Sequence, residues 1–245
     1  MNAPMKTVLP TIGRLVAVCA HPDDESFGLG AILAVFAAAG AEITLLCFTR
    51  GEASTLGMEA EDLATLRPQE LAAAAAALGI AHVTLLEYPD GGLAGVPLDE
   101  LAAPVERVAT GADVLLVFDE GGITGHPDHV RATAAACAVA ARTGLPVYAW
   151  AIPLDVATAL NAEFGAAFVG REPSMLDICL HVNRTQQREA IACHRSQSGD
   201  NPVLWRRLDL MGDREYLRIL SCQGDARSEE LTIPEGGPIH AHSAG

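Results

Sequence analysis

Two short stretches of the chain combine histidine and carboxylate side chains around a proline. Residues 20–25 read AHPDDE, and residues 125–130 read GHPDHV. One His-Pro-Asp tripeptide alone would be explained as a helix start, because aspartate and proline are both common there. Two of them, each lying between a strand-like and a helix-like segment, favour metal chemistry instead.

The side chains in these stretches match the ligands of a catalytic zinc ion. His21 and Asp24 lie three residues apart, and His129 would add a second imidazole. Two histidines and a carboxylate, with one position left for water, form a catalytic zinc set. Zinc lowers the pKa of its bound water to about 7, so hydroxide becomes available at neutral pH. We expect Zn2+ as the cofactor, with Fe2+ as an alternative that the same ligands accept.

The remaining polar residues of the two stretches suggest the chemistry of hydrolysis. Asp23 lies beside the ligand Asp24 and is placed to act as the general base on the attacking water. His126 would face the substrate carbonyl and, as an imidazolium, stabilise the oxyanion. Asp128 could hydrogen-bond the other ring nitrogen of His126 and keep that ring oriented and charged. Together these residues predict a metal-dependent amide hydrolase.

The rest of the chain must bring the two stretches together. Short runs rich in Val, Leu and Ile alternate with Ala-rich stretches that end at glycines, a rhythm that predicts an α/β fold with a doubly wound, mostly parallel sheet. The predicted strands cover residues 14–20, 42–49, 82–88, 113–119, 147–152, 176–182 and 216–222. The predicted helices cover residues 27–39, 68–78, 98–109, 128–142 and 184–194.

Strand order decides whether the two stretches meet. With the order 3-2-1-4-5, the first and fourth strands are neighbours at the point where the order reverses. Ligands bind at this switch point, outside the carboxyl ends of the strands. Residues 20–25 and 125–130 would then face each other across one crevice.

Composition limits the classes of protein that fit. Half of the 245 residues are hydrophobic, enough for a full core, and we expect a single domain over residues 1–222. Residues 223–245 are polar and rich in Gly and Pro, and we expect a mobile tail there. The net charge of −15 opposes binding to nucleic acid or to an anionic membrane.

The termini and the cysteines suggest a location. No apolar run reaches the ~20 residues of a membrane helix, and the first residues lack the apolar core of a signal peptide. Six cysteines occur without CxxC spacing. We interpret them as small buried hydrophobes in a reducing compartment, so we expect a cytoplasmic protein.

The pair of motifs resembles the signature of the LmbE-like family, also called the PIG-L deacetylase family. The resemblance extends over roughly residues 14–222. It implies a Rossmann-like fold with helices on both faces of the sheet and a zinc-dependent N-acetylglucosaminyl deacetylase activity. The family's metal ligands, general base, oxyanion-stabilising histidine and orienting aspartate correspond here to His21, Asp24 and His129, then Asp23, His126 and Asp128.

Weaker similarities add four candidate substrate-binding residues: Arg50, Arg67, Asp90 and His194. Each also has a plainer interpretation. Arg67 could form an exposed ion pair with Glu70, worth a few tenths of a kcal/mol. Asp90 could serve an Asp-Gly turn, and His194 could belong to a capped helix end. The family's mobile tyrosine has no counterpart in residues 120–124.

Three alternatives to an N-acetylglucosamine deacetylase stay open. An amidase acting on thiol-sugar conjugates or another N-acyl substrate would use the same residues. A non-haem Fe(II) oxygenase shares the ligand set, but it has no need of the base Asp23. A non-catalytic ligand-binding module would need glycines where residues 21–25 read HPDDE. We expect a small amino-sugar substrate as the partner, and the Ala-rich helices leave a homo-oligomer open.

Overall fold

An open sheet forms the centre of the molecule, and its parallel strands end at the two motifs. The computed structural model describes residues 5–6, 10–55, 63–199 and 201–222. The strands are β1 (Arg14–Cys19), β2 (Glu42–Thr49), β3 (His82–Tyr88), β4 (Val114–Phe118), β5 (Val147–Pro153), β6 (Gly170–Arg171), β7 (Ile178–His181) and β8 (Arg214–Leu220).

The strand order is β3-β2-β1-β4-β5-β8-β7, and the short β6 pairs with β5. Neighbouring strands from β3 to β5 are parallel, whereas β8 runs antiparallel to both β5 and β7. The order 3-2-1-4-5, on which the meeting of the two motifs depends, is present. The carboxyl ends of β1 and β4 therefore lie side by side at the switch point.

Helices cover both faces of the sheet, as predicted. They are α1 (Asp24–Phe27), α2 (Gly30–Ala38), α3 (Leu63–Leu78), α4 (Leu98–Val108), α5 (Gly122–Gly125), α6 (Pro127–Thr143), α7 (Leu154–Phe164), α8 (Thr185–Cys193), α9 (Arg195–Ser198) and α10 (Pro202–Met211). Two 3-10 turns lie at Leu93–Gly95 and Pro173–Met175. Helices α2, α3 and α8 pack together, and α4 packs on α6.

The first strand shows why the sheet is buried on both sides. Leu15 and Ala17 belong to one apolar cluster, and Val16 and Val18 belong to the cluster on the opposite face. All four are at most 3% exposed. Because successive side chains of a strand point to opposite faces, a continuous apolar run needs a layer on each side. This double burial fixes β1 firmly beneath the motif that follows it.

Three helical segments differ from the sequence prediction. Helix α7 starts directly after β5, and α10 follows an Asn201 cap whose side chain accepts the Leu204 amide. Neither helix was predicted. For α7 the reason is that no turn residues separate it from β5. Helix α3 begins five residues before Pro68, so the prediction that this proline opens the helix is wrong.

The interpretation of the cysteines is wrong for one pair. Cys137 on α6 and Cys222 after β8 form a disulfide, with their Cα atoms 5.0 Å apart. Cys19, Cys47 and Cys179 are free and buried, as expected. Because the two partners are 85 residues apart in sequence, their spacing gave no signal. The cytoplasmic location stays a prediction.

Two further predictions concern the ends and the membrane. Residues 223–245 lie outside the described residues, so the predicted tail and the domain boundary stay predictions. None of the helices in the described part of the chain combines the length and apolarity needed to cross a bilayer.

A buried ion pair behind the sheet should be a major contributor to stability. The Glu215 carboxylate lies 2.6 Å from Arg184 and accepts the indole N–H of Trp150 at 2.8 Å. Glu215→Ala should lower the free energy of unfolding by about 3–5 kcal/mol, because it leaves a buried guanidinium without its partner. Urea unfolding would measure this. The exposed pair of Glu163 and Arg206 supplies the control, and Glu163→Ala should cost below about 1 kcal/mol.

Candidate active site

The two motifs meet in a cavity at the carboxyl ends of β1 and β4. The cavity has a volume of about 630 Å3, within the range of small-molecule sites. His21, Asp23 and Asp24 line it from the turn after β1, and His126 and His129 line it from the start of α6. The crevice predicted from strand order is therefore present, with both motifs in its wall.

The turn after β1 is held in a strained conformation at Asp23. This residue has φ 112° and ψ −26°, a left-handed backbone that non-glycine residues rarely adopt. Its carbonyl accepts the amides of Ser26 and Phe27. The adjacent Asp24 carboxylate accepts the amides of Ala20 and His21 at 3.0 and 2.9 Å. The turn thus aims Asp23 and Asp24 at the cavity.

The predicted metal ligands converge. His21 Nδ1 lies 3.2 Å from His129 Nε2 and 3.9 Å from Asp24 Oδ2, and His129 Nε2 lies 3.1 Å from Asp24 Oδ1. Zinc bonds of ~2.0–2.1 Å in a tetrahedral site would separate the ligand atoms by roughly 3.3 Å. Two imidazole nitrogens that face each other need a proton or a cation between them. The donor set therefore fits a metal ion.

Burial and partner charges act in opposite directions on these ligands. Burial raises the pKa of Asp24, but the His129 charge and hydrogen bond outweigh burial and bring that pKa below its usual value. Burial lowers the pKa of His129, and the Asp24 charge reverses the effect, so the net shift is upward. Each of these two groups therefore favours the charged form of the other across their 3.1 Å contact.

The outer nitrogen of His21 faces two carboxylates. Its Nε2 lies 3.0 Å from Asp90 Oδ1 and 3.4 Å from Asp128 Oδ2. Burial lowers the pKa of His21, but the Asp128 and Asp90 carboxylates overcome that effect and raise the pKa to about 10. A carboxylate behind a metal-binding histidine fixes which nitrogen faces the metal. Asp90, predicted to bind substrate, lines the cavity and also orients His21.

The expected contact between the Asp128 carboxylate and His126 is not formed. That carboxylate accepts the amides of Gly91 and Leu93 at 2.8 and 3.1 Å, while the backbone amide of Asp128 donates to His126 Nδ1 at 3.2 Å. His126 Nδ1 is therefore an acceptor, and the proton lies on Nε2. Burial, with the charges of His129 and His21, lowers the pKa of His126. The ring is a neutral donor, not the expected imidazolium.

Asp23 is placed and tuned as a base. Its Oδ2 lies 2.9 Å from an Arg67 nitrogen. Burial raises the pKa of Asp23 to about 6, although the Arg67 charge opposes the rise. A general base works best with a pKa near the operating pH. The carboxylate is therefore ionised at neutral pH yet basic enough to accept a proton.

Arg67 lines the cavity but is committed to the protein. It is 2% exposed and donates to the carbonyls of Gly51 and Pro22 as well as to Asp23. Glu70 instead accepts the Ser196 amide at 2.9 Å and its hydroxyl at 2.6 Å. The alternative of an Arg67–Glu70 ion pair is therefore wrong, and Arg67 joins the loops after β1 and β2.

Two of the predicted substrate-binding residues lie away from the cavity. Arg50 forms an ion pair with Glu87 on the surface. His194 is fully buried, and its Nε2 lies 2.6 Å from Glu25 Oε1. Neither residue belongs to the cavity wall. Both residues were predicted to bind substrate because the sequence does not show whether their side chains line the cavity.

The Glu25–His194 pair holds the backbone of Asp23 in place through a hydrogen bond to Glu25. Glu25 is fully buried, and its Oε2 accepts the Asp23 amide at 3.0 Å. Burial lowers the pKa of His194, but the Glu25 charge and hydrogen bond raise it to a greater extent, so the net shift is upward. The strained backbone of Asp23 is thus anchored by a buried ion pair that the sequence analysis missed. The final glutamate of AHPDDE was its only signal.

Removing the charge of this anchor should reduce catalysis without removing the base. Glu25→Gln weakens the contact that fixes the Asp23 backbone, and a small displacement of a reacting group costs up to ~100-fold in rate. We expect kcat to fall about 10- to 100-fold with KM nearly unchanged. Steady-state kinetics and zinc content measure this. An equal loss in kcat and in folded fraction would show a purely structural role.

One protein family matches this chain, and several relatives are similar to it in sequence. Residues 16–140, just over half of the chain, match the family PIG-L, GlcNAc-PI de-N-acetylase. A 1D-myo-inositol 2-acetamido-2-deoxy-alpha-D-glucopyranoside deacetylase of Nakamurella multipartita is 37% identical, over 90% of this chain and 94% of that protein. Matches to several other deacetylases of the same name cover about half of those proteins.

Two solved structures share the fold. The N,N'-diacetylchitobiose deacetylase from Pyrococcus horikoshii has a TM-score of 0.62 at 21% identity, over 86% of this chain and 85% of that one. A zinc-inhibited form of the teicoplanin deacetylase Orf2 has a TM-score of 0.62 at 22% identity, over 84% and 97% of the two chains. At these identities the likeness concerns the fold. With the family match and the Nakamurella relative, both motifs and the site built from them show that this chain belongs to the PIG-L family of de-N-acetylases.

Proposed function

We propose that this chain is a zinc-dependent hydrolase that removes the N-acetyl group from an N-acetylglucosamine glycoside, with an inositol-type aglycone as the first candidate. One observation carries the proposal. His21, Asp24 and His129 form a ligand triangle: the two ring nitrogens lie 3.2 Å apart, and each lies within 3.9 Å of one of the two Asp24 carboxylate oxygens. The tuned carboxylate of Asp23 lies in the same cavity wall. The name of the Nakamurella relative supports the choice of aglycone.

The ligand triangle would hold Zn2+, which when bound polarises the amide carbonyl and acidifies water. The donor set of two imidazoles and a carboxylate supports the choice of zinc. Asp90 and Asp128 would hold His21 by its outer nitrogen. Fe2+ is the alternative ion, because the same donors accept it.

The protein residues carry out the proton transfers. Asp23 accepts a proton from the attacking water as its oxygen bonds to the acyl carbon. His126 Nε2–H donates to the carbonyl oxygen, where negative charge develops in the tetrahedral intermediate. Asp23 then returns the proton to the sugar nitrogen as the C–N bond breaks. The products are acetate and a free amine, so no oxidant or further reactant is required.

Release of free amine from a panel of N-acetylglucosamine glycosides tests the proposal. The panel should include the inositol glycoside, N,N'-diacetylchitobiose and free N-acetylglucosamine, with and without a chelator. We expect chelator-sensitive release that is fastest with a glycoside. Zinc bound at one ion per chain without release from any sugar would contradict the proposed function and favour another N-acyl substrate, such as a thiol-sugar conjugate.

A further inference from the structure

The cavity has two unlike ends, and the proposed mechanism uses only one of them. The polar end carries Asp23, Arg67 and Asp90, near the ligand triangle. Rings and aliphatic side chains line the other end, among them Phe118 and Trp150. The polar end suits the hydroxyls of a sugar. The aromatic end has no role in the proton transfers of hydrolysis, so it needs its own explanation.

The aromatic end starts at the metal site itself. The Phe118 ring packs edge-on against His129 with centroids 4.7 Å apart, and its other side meets Trp150 at 5.1 Å. Phe118 and Trp150 are 7% and 1% exposed, so they form a fixed wall and not a mobile surface. Phe118 and Trp150 thus form an apolar part of the cavity lining that leads from His129 toward Arg207.

The wall ends at a buried guanidinium. Arg207 on α10 lines the cavity, is 7% exposed, and stands over the Trp150 ring at 4.7 Å. Its described hydrogen bond goes to the Phe27 carbonyl, which uses one of five N–H donors. Burial lowers the pKa of Arg207 to about 10, so the side chain is still charged at neutral pH. A cation thus faces the far end of the cavity.

Arg207 differs from the other buried arginines in having no carboxylate partner. Arg67 lies 2.9 Å from Asp23, and Arg184 lies 2.6 Å from Glu215. Among the described residues, no carboxylate lies within 4.0 Å of Arg207. Glu215, the acidic group that acts on it from farther away, is occupied by Arg184 and the Trp150 indole. Buried charges are normally paired, so a ligand is the missing counterion.

We propose that Arg207 binds a carboxylate carried by the substrate, at the end of an apolar spacer that lies along Phe118 and Trp150. This inference rests on the proposed amide hydrolysis but replaces its inositol-type first candidate, because neither an acetyl group nor inositol carries a carboxylate. The substrate class becomes anionic N-acyl amino sugars or anionic glycosides. A planar guanidinium pairs with a carboxylate through two parallel hydrogen bonds. The carboxylate belongs either to the acyl group or to the aglycone, and the two sources are separable by experiment.

Matched substrates test the proposal. One arm compares glucosamine N-acylated by glutarate with the same acyl chain ending in a carboxamide. The other arm compares N-acetylglucosamine glycosides whose aglycone ends in a carboxylate or a carboxamide. In at least one arm, kcat/KM should favour the carboxylate by about tenfold or more, the scale of a hydrogen bond to a charged group. Arg207→Met should abolish that preference. Arg206→Met should keep it, because Arg206 lies on the same helix as Arg207 but forms an exposed pair with Glu163 of α7.

Binding to metal-free protein gives a second measurement that does not depend on turnover. Calorimetry in chelator should show about tenfold tighter binding of the favoured carboxylate ligand to the wild-type protein than to Arg207→Met, since no metal can attract the carboxylate. Equal affinities, together with equal kcat/KM for both members of each pair, would overturn the proposal. Such a result with amine still released would leave the hydrolase intact, whereas no release from any member of either pair would instead count against the proposed function.

Discussion

Asp23→Asn should lower kcat by about 10^2- to 10^4-fold while zinc content and unfolding midpoint stay close to those of the wild type. The expected factor is the usual contribution of a positioned general base. Asparagine keeps the size of the side chain and can still contact Arg67, which lies 2.9 Å from Asp23 Oδ2. It cannot accept a proton from water at neutral pH. Rapid-quench measurement of amine release, with metal analysis on the same samples, would establish the loss.

A second variant separates the loss of the base from the strain of the turn. Asp23→Gly keeps the left-handed backbone at lower strain, because glycine tolerates a φ of 112°. It should be equally inactive and at least as stable as Asp23→Asn. If Asp23→Asn retained more than a tenth of wild-type kcat with zinc bound, the assignment of Asp23 as the base would be wrong, and His126 would be the next candidate.

The rate should fall on the acid side as Asp23 becomes protonated. Burial raises the pKa of this carboxyl to about 6, and only the ionised form accepts a proton. Activity is therefore retained above pH 6 and is lost as the pH falls through that value. A bound cation beside Asp24 lowers the pKa of Asp23, so the metal-loaded enzyme should lose activity at or below pH 6. An acid limb near pH 8 would exclude Asp23 as the titrating group.

The parallel half of the sheet could be predicted from sequence because each strand is a short apolar run between helical stretches. Strand order itself was only assumed from the sequence, and the shared crevice of the two motifs followed from placing β1 beside β4. The position of β8 between β5 and β7 could not be predicted in the same way. It depends on long-range contacts such as Glu215 with Trp150 and Arg184, which leave no local pattern.

The candidate site was likewise predictable only in part. His21, Asp24 and His129 converge as the motifs predicted, because the first motif directly follows β1 and the second follows β4 after the short α5, and the sheet fixes the ends of both strands. The orientation of the side chains could not be predicted as well from the sequence. The Asp128 carboxylate turns toward the Gly91 and Leu93 amides because the Leu93–Gly95 turn offers two donors there. Arg207 was missed because α10 was not predicted, and a lone arginine carries no motif.

His129→Ala should abolish zinc binding at micromolar metal and reduce amine release to the level of chelator-treated enzyme. The alanine leaves His21 and Asp24 as the remaining ligands of the triangle, and a site with two protein ligands binds zinc far more weakly than a site with three. His181→Ala is the matched control, because this histidine is exposed and pairs with Asp213 on the surface. It should retain zinc and activity. Metal analysis after dialysis against one equivalent of zinc would measure the difference.

Asp24→Ala should lose the metal as well, but it should also destabilise the metal-free protein, and this second effect distinguishes the two ligands. The Asp24 carboxylate accepts the amides of Ala20 and His21, both buried, so its removal leaves two donors unpaired. An unsatisfied buried donor costs about 1–3 kcal/mol. His129→Ala removes no acceptor from a backbone amide, since its own described contacts are with Gly122, His21 and Asp24. Urea unfolding in chelator should therefore place Asp24→Ala below His129→Ala in stability. Equal stabilities would show that the turn after β1 does not depend on the Asp24 carboxylate, and that its role is confined to the metal.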